Sequence, residues 1–216
     1  NLISNAELGR YQLIFPIFMF CMAVSCAGIQ VAVSKMVAAY HGTGKKKAIR
    51  QTIKSAGIMS LIVALLSSGC VIAFSEPISR WILKDISCRG YLVIMAIAIP
   101  FAAVHTCVGG YFYGIRHTAV PAVTQLLEQI VRVVTIYLLG AMMYQKGKTD
   151  ASVAVWGLAA GEIFSCFLTW ICYRFSIRSQ NGGSGSGEPI RKILRQLWQY
   201  GGFLTANRVS VTLLQS

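Results

Sequence analysis

The sequence predicts an all-α integral membrane protein, a polytopic helix bundle, and three observations carry that prediction. Apolar runs long enough to cross a hydrocarbon core of ~30 Å at ~1.5 Å per residue recur along the chain. Hydrophobic residues make up 55% of the 216 positions and charged ones only 12%, where soluble domains carry ~25%; the mean hydropathy is +0.60. The basic excess, a net charge of +13, collects in the connections between apolar runs. That placement points to membrane orientation and lipid head groups and away from nucleic acid.

Residues 1–180 are expected to hold five spans, at about 11–40, 55–74, 91–114, 120–143 and 151–173. The first carries Pro16, which frees a carbonyl inside a membrane helix, and Lys35 toward its far end. Lys35 either snorkels to the interface or presents a cation to a cavity. A basic loop without acids follows, with Lys45, Lys46, Lys47, Arg50 and Lys54. After the second span, Trp81 and Tyr91 suit an aromatic belt. Pro100 and Gly109-Gly110 allow the third span to bend and to approach a neighbour closely. His105, in its middle, reads as a hydrogen-bonded core residue ahead of a proton relay. The connection 115–119 is short, so the third and fourth spans are antiparallel neighbours.

The fourth span is the most informative stretch. Gln125, Glu128, Arg132 and Thr135 share one helical face, and Val123, Leu127, Ile130, Val134 and Leu138 lie opposite. A charge near the bilayer centre costs at least ~2.5–3.5 kcal/mol on insertion scales. The polar face must therefore look into protein or water. It is either an ion pair that glues helices together or one wall of a cavity. Glu162 in the fifth span needs a partner or a proton; Arg132 and Lys35 are the candidates.

Residues 181–188, ending the run GGSGSG, read as a flexible cytoplasmic linker, natural or engineered. Residues 189–216 read as an interfacial amphipathic helix followed by the start of another span from Gly201. Ile190, Ile193, Leu194, Leu197 and Trp198 form the apolar face of the amphipathic helix, and Asn207 and Arg208 sit inside the last apolar run. The chain starts in a polar turn and stops inside that run, so both ends read as cut from a larger protein. The first-to-second, third-to-fourth and fifth-to-sixth connections hold eleven of the basic residues and the other side six. The positive-inside rule then puts the basic loop at 41–54 in the cytoplasm. Lys35, Arg132 and Arg208 remain as intramembrane cations.

No catalytic constellation is visible. There is no aspartate cluster for a diphosphate-bound metal, no HExxH, no GxSxG and no Gly-rich nucleotide loop. No enzyme activity, cofactor or metal is expected. Six of the seven cysteines lie in spans, with Cys88 in a loop, and no CxxC pair occurs. They read as small buried hydrophobes. A cationic cavity lined by kinked helices fits a transporter of an anionic substrate.

Three blocks add a resemblance. Gly9, Tyr11 to Pro16, Gly28-Ile29 and Ser34-Lys35 follow a "G-x-YQLIFP…GIP-x-A-x-SK" pattern, with Gln30 in place of the usual Pro. Gly110 to Gly114, Pro121, Gln125, Glu128-Gln129 and Arg132-Val133 follow "RGYFQG…P-x-A-x-SQ-x-x-EQ-x-x-RV", with Gly109 for Arg and Thr124 for Ser. FLTANRVSVTLLQS is similar to "PLTLNR…SLLQS", with Gly202-Phe203 for Leu-Pro. Together the blocks resemble the stage V sporulation protein B-like and lipid II flippase-like branch of the MOP superfamily. The resemblance implies the N-lobe of a two-lobed MOP/MATE-like transporter fold, lacking helix one and the C-lobe of the same protein. It implies a multi-pass protein of the bacterial plasma membrane that flips an undecaprenyl-diphosphate-linked glycan, such as lipid II, outward for cell-wall or spore peptidoglycan synthesis. Lys35, Arg132, Arg208, Gln125 and Asn207 would then contact the substrate, with Glu128 and Glu162 pairing with them or coupling to an ion. Membrane lipids are the other expected partners. A MATE-type proton- or sodium-coupled antiporter of organic cations and an exopolysaccharide repeat-unit exporter are the alternatives.

Overall fold

A computed structural model describes residues 5–145, 150–179 and 188–215, with side chains of the last helix described through Gly202. Its helices are α1 (Asn5–Met22), a π-helical turn (Ala23–Ala27), α2 (Gly28–Gly42), α3 (Lys46–Ala73), the single turn α4 (Ser75–Pro77) with a second π-helical turn (Ile78–Ile82), α5 (Cys88–Gly114), α6 (Ala119–Gln145), α7 (Ser152–Ser179) and α8 (Ile190–Gln215). Among the described residues, five segments are long and apolar enough to cross a membrane: Gly9–Gly42, Lys46–Ala73, Cys88–Gly114, Ala119–Met143 and Ser152–Arg178. The chain is a multi-pass membrane protein.

α5 is the hub, and its sequence explains why. It is nearly all small or apolar, and Leu92, Ala96, Ala98, Ile99, Ala102 and Ala103 are fully buried. α2, α3 and α7 all pack on it. α2 comes closest. A Cβ on Gly110 would fall 2.7 Å from the carbonyl oxygen of Gln30, and one on Gly114 would fall 2.8 Å from that of Ser34. Only glycine allows this backbone-to-backbone approach. α6 is peripheral. It packs mainly on α7, where Gly157 and Gly161 admit Ile136 and Glu128. Its other flank, with Leu126, Val133, Tyr137 and Leu138, is exposed.

The first long segment is interrupted at Ala23–Ala27, where a π-turn releases a carbonyl. The Ser60 hydroxyl of α3 donates to the Ser25 carbonyl at 3.2 Å. Ser68 donates to the Ala96 carbonyl of α5 at 2.7 Å. These hydroxyls satisfy backbone groups that lipid cannot.

Charge separates the two ends of the bundle. At one end Glu7 ties three elements together: it pairs with Arg10, accepts from the Ala151 backbone at 2.9 Å at the start of α7, and accepts from Tyr91 at 3.5 Å. Arg10 Nε also donates to Asp85 at 2.7 Å. This pairing and the Ser87 backbone N–H hold the Asp85 carboxyl below its ordinary range. At the other end lie the α2–α3 turn, the α5–α6 turn and the junction of α7 with α8. Gly44 turns the chain there with φ of +68°.

Several boundaries differ from the sequence expectation. α3 starts at Lys46, within the expected basic loop. Ala48, Ile49, Thr52, Ile53 and Ala56 form one buried face there, so the basic residues decorate a helix instead of a loop. Cys88 is not in a loop; it opens α5 and is fully buried. Tyr91 is buried beneath Glu7 instead of joining a belt, whereas Trp81 is 82% exposed. α8 is one continuous helix through the expected break at Gly201, which packs beside the Gly28 backbone. Ile193 and Leu197 of its apolar face are buried, and Ile190, Leu194 and Trp198 remain exposed. Glu188 is an anchor rather than linker. It accepts from Lys45 at 2.7 Å and from Lys192 at 2.9 Å, and its backbone N–H donates to Gln51 at 3.1 Å.

Candidate functional site

Four titratable side chains from α5, α6 and α7 meet in mid-span. Glu128 and Arg132 are one turn apart on α6, and the Arg132 guanidinium donates to Glu128 at 2.9 Å. The same guanidinium nitrogen lies 3.5 Å from Glu162 of α7. The other Glu162 oxygen lies 3.3 Å from Nδ1 of His105 on α5. Gly161, next to Glu162, makes this possible: a Cβ there would press on the Glu128 carbonyl at 3.3 Å and on its side chain at 3.4 Å. The expected partnership of Glu162 with Arg132 is therefore present. Glu128 and Arg132 form both the helix-to-helix contact and part of a cavity wall.

The cavity has a volume of about 550 Å³ and lies among α1, α2, α5, α6 and α7. Gln125, Glu128, Gln129 and Arg132 of α6 form one wall. His105, Glu162, Ser165 and Thr169 form another, and Gln30 of α2 closes the far side. Phe15, Phe18, Met19 and Met22 of α1 make the apolar wall. The polar residues are thus gathered opposite a flexible apolar surface, the usual composition of a ligand cavity.

The carboxylates outnumber the guanidinium, and the imidazole Nδ1, the second Glu162 oxygen and Arg132 Nε are buried without a hydrogen-bond partner. Such groups are costly to keep unless something uses them. The ligand atoms of His105, Glu128 and Glu162 lie within 4.8 Å of one another, close enough to share one cation. The Arg132 guanidinium, at 2.9 and 3.5 Å from both carboxylates, repels a divalent metal.

The predicted cations do not all converge. Lys35 is absent from the cavity wall; it is exposed, and its Nζ lies 5.9 Å from the Tyr200 ring of α8. The reason is register: Gln30, not Lys35, faces α5. Gln125 does line the cavity. The side chains of Asn207 and Arg208 lie outside the described residues. Sequence reasoning underrated His105, which belongs to the cluster. Its pairing is long-range and leaves no local spacing to read.

The sequence pattern of the family described as polysaccharide biosynthesis protein matches residues 1–216. The chain belongs to that family. It is 22% identical over 174 residues to stage V sporulation protein B of Bacillus subtilis (strain 168), covering 80% of this chain and 34% of that protein. Two solved structures share the fold at 16% identity. One is a multidrug resistance MATE family transporter of the MOP superfamily in an outward-facing conformation, with a TM-score of 0.68 over 98% of this chain and 47% of that one. The other is a MOP superfamily transporter from Pyrococcus furiosus whose binding pocket is described as reversed in polarity, with a TM-score of 0.70 over 97% of this chain and 46% of that one. The chain spans about a third of the sporulation protein and about half of each transporter. Over the described residues it is an all-α bundle with the fold of one lobe of a MOP-superfamily transporter.

Proposed function

We propose that this chain is the N-lobe of a flippase that moves an undecaprenyl-diphosphate-linked glycan, lipid II-like, from the inner to the outer leaflet of a bacterial plasma membrane. The observation that carries the reading is the mid-span Glu128–Arg132–Glu162 cluster opening on a cavity, within a chain matched from end to end by a polysaccharide biosynthesis family. Arg132 is the group suited to a diphosphate, since a guanidinium binds phosphate oxygens in a planar fork. In the structure it is held by two carboxylates. Uptake of a proton or a sodium ion by Glu162 and Glu128 would release it toward the cavity, so substrate and coupling ion compete through one side chain. Gln125 and Gln30, which line the cavity, would hydrogen-bond sugar hydroxyls. Lys35 would serve the substrate outside this cavity, and the other lobe completes the path.

A second reading is a MATE-type antiporter of organic cations, and the excess of carboxylate over guanidinium in the cluster favours it. Proteoliposomes of the full-length protein with fluorescent lipid II in one leaflet separate the two. Translocation by the parent, lost at least tenfold in a folded Arg132→Ala variant, supports the flippase. Proton- or sodium-driven export of an organic cation, with no movement of any polyprenyl-diphosphate glycan, overturns it.

A further inference from the structure

We propose that the cleft between the basic ends of α3 and α7 binds an anionic phospholipid of the surrounding membrane. Both helices pack on α5, and between their ends they leave a cleft of about 720 Å³. Four cations line it, Arg50 and Lys54 from α3 and Arg174 and Arg178 from α7, and no carboxylate does. Glu188, the one acid at this end among the described residues, is committed to Lys45 and Lys192. The cations are also positioned. Arg50 donates to the Ile177 carbonyl at 3.4 Å, and the Arg174 guanidinium sits 5.3 Å over the Trp170 ring.

What distinguishes a lipid from a free phosphate is the surface leading away from the cleft. From Lys54, the residues four, seven and eleven positions on are Ile58, Leu61 and Leu65, which share its helical face and are all exposed. From Arg174, the residues four, seven and eleven positions back are Trp170, Phe167 and Ile163, again on one face and exposed. Each wall therefore carries a cation at its polar end and an unbroken apolar stripe toward the membrane centre. Two stripes beneath one cationic cleft match two acyl chains beneath a phosphate. Basic pockets between membrane helices recognise anionic head groups in this way. The inference is independent of what the protein transports.

The test is native mass spectrometry of the full-length protein in detergent, titrated with phosphatidylglycerol and with phosphatidylcholine of the same acyl chains. Phosphatidylglycerol should bind preferentially, and Arg174→Gln with Arg178→Gln should lower its bound fraction at least fivefold. Arg191→Gln with Arg195→Gln removes the same charge from exposed sites on α8 and should leave it unchanged. Lys54→Gln, on the opposite wall, should lower binding at least twofold and decides the matter if the double variant fails to fold. Equal loss in both double variants, or equal binding of the two lipids, overturns the proposal. So does displacement of bound phosphatidylglycerol by inorganic phosphate alone, or by undecaprenyl diphosphate present at a far lower concentration than the phosphatidylglycerol.

Discussion

The pairs α2/α5 and α6/α7 are both joined at two glycines four residues apart, yet they are built for different tasks. At α2/α5 the glycines bring backbone to backbone: Gly110 faces the Gln30 carbonyl and Gly114 the Ser34 carbonyl. The surroundings are apolar, with Ile29, Val33, Val37, Cys107 and Tyr111 buried together. At α6/α7 the backbones stand farther apart, with the Arg132 and Glu128 carbonyls 3.1 and 3.3 Å from carbons added at Gly157 and Gly161; the tightest contact is the Ile136 side chain at Gly157, and charges complete the pairing. Backbone cannot yield, but side chains and ion pairs can rearrange. The first pair is a fixed frame; the second holds a peripheral helix through contacts that a proton, an ion or an anion can alter.

The strongest way to break this comparison is to remove Arg132. Arg132→Ala leaves Glu128 and Glu162 facing each other without a cation, and stranding a buried charge in this way costs about 3–5 kcal/mol. Thermal unfolding in detergent should show a large loss, and Glu128→Gln with Arg132→Gln should recover most of it. An Arg132→Ala protein as stable as the parent would mean that the cluster is not what holds α6.

The glycines sharpen the comparison at about 1–3 kcal/mol, the usual cost of overpacking. Gly114→Ala should be destabilising and not rescued by Val37→Ala, because its added carbon also meets the Ser34 carbonyl at 2.8 Å. Gly157→Ala overlaps Ile136 first, and the Arg132 carbonyl at 3.1 Å asks only a shift of a few tenths of an ångström from the peripheral α6. It should be rescued in large part by Ile136→Ala. Equal rescue at both sites would erase the distinction between frame and movable pair.

A smaller effect is expected at Ser60, which serves the frame through the carbonyl freed at the π-turn. Ser60→Ala should cost ~0.6 kcal/mol, the average for hydrogen bonds between membrane helices. Its clearest readout is faster amide exchange near Ser25, with transport unaffected.

How much of this was legible in the sequence depends on the range of the interaction. The helices and the polar face of α6 follow from periodicity, which is local, whereas the short turn after α5 misleads about packing, since α6 rests mainly on α7. The buried face of Ala48, Ile49, Thr52 and Ile53 was equally local, but four lysines and an arginine around it masked the helix as a loop. The meeting of His105 with Glu162, and the departure of Lys35 from the cavity, depend on how helices rotate against one another. Only the glycine seams hinted at that rotation, since Gly110 and Gly114 fix which flank of α2 faces α5. The π-turn at Ala23–Ala27 had no signal, since no proline lies within it and the Ser60 hydroxyl that meets its Ser25 carbonyl comes from α3.

The smallest expected effect lies outside the membrane, where α8 is tied to the start of α3 through Glu188. Hydrogen bonds from Lys45 and Lys192 hold its carboxyl down to about 2, from an ordinary 4.5, and the same contact raises Lys192. The sign follows from linkage: a depressed carboxyl contributes above its unfolded value and loses that contribution as the pH falls from 4.5 through about 2. Proteolysis at the α7–α8 junction should therefore accelerate across that window in the parent. In Glu188→Gln it should already be faster at neutral pH and flat through the same window. High salt should narrow the gap between the two proteins, since both partners sit where solvent ions screen them. A Glu188→Gln protein that keeps the parent's acid sensitivity would place the tether of α8 in Ile193 and Leu197 alone.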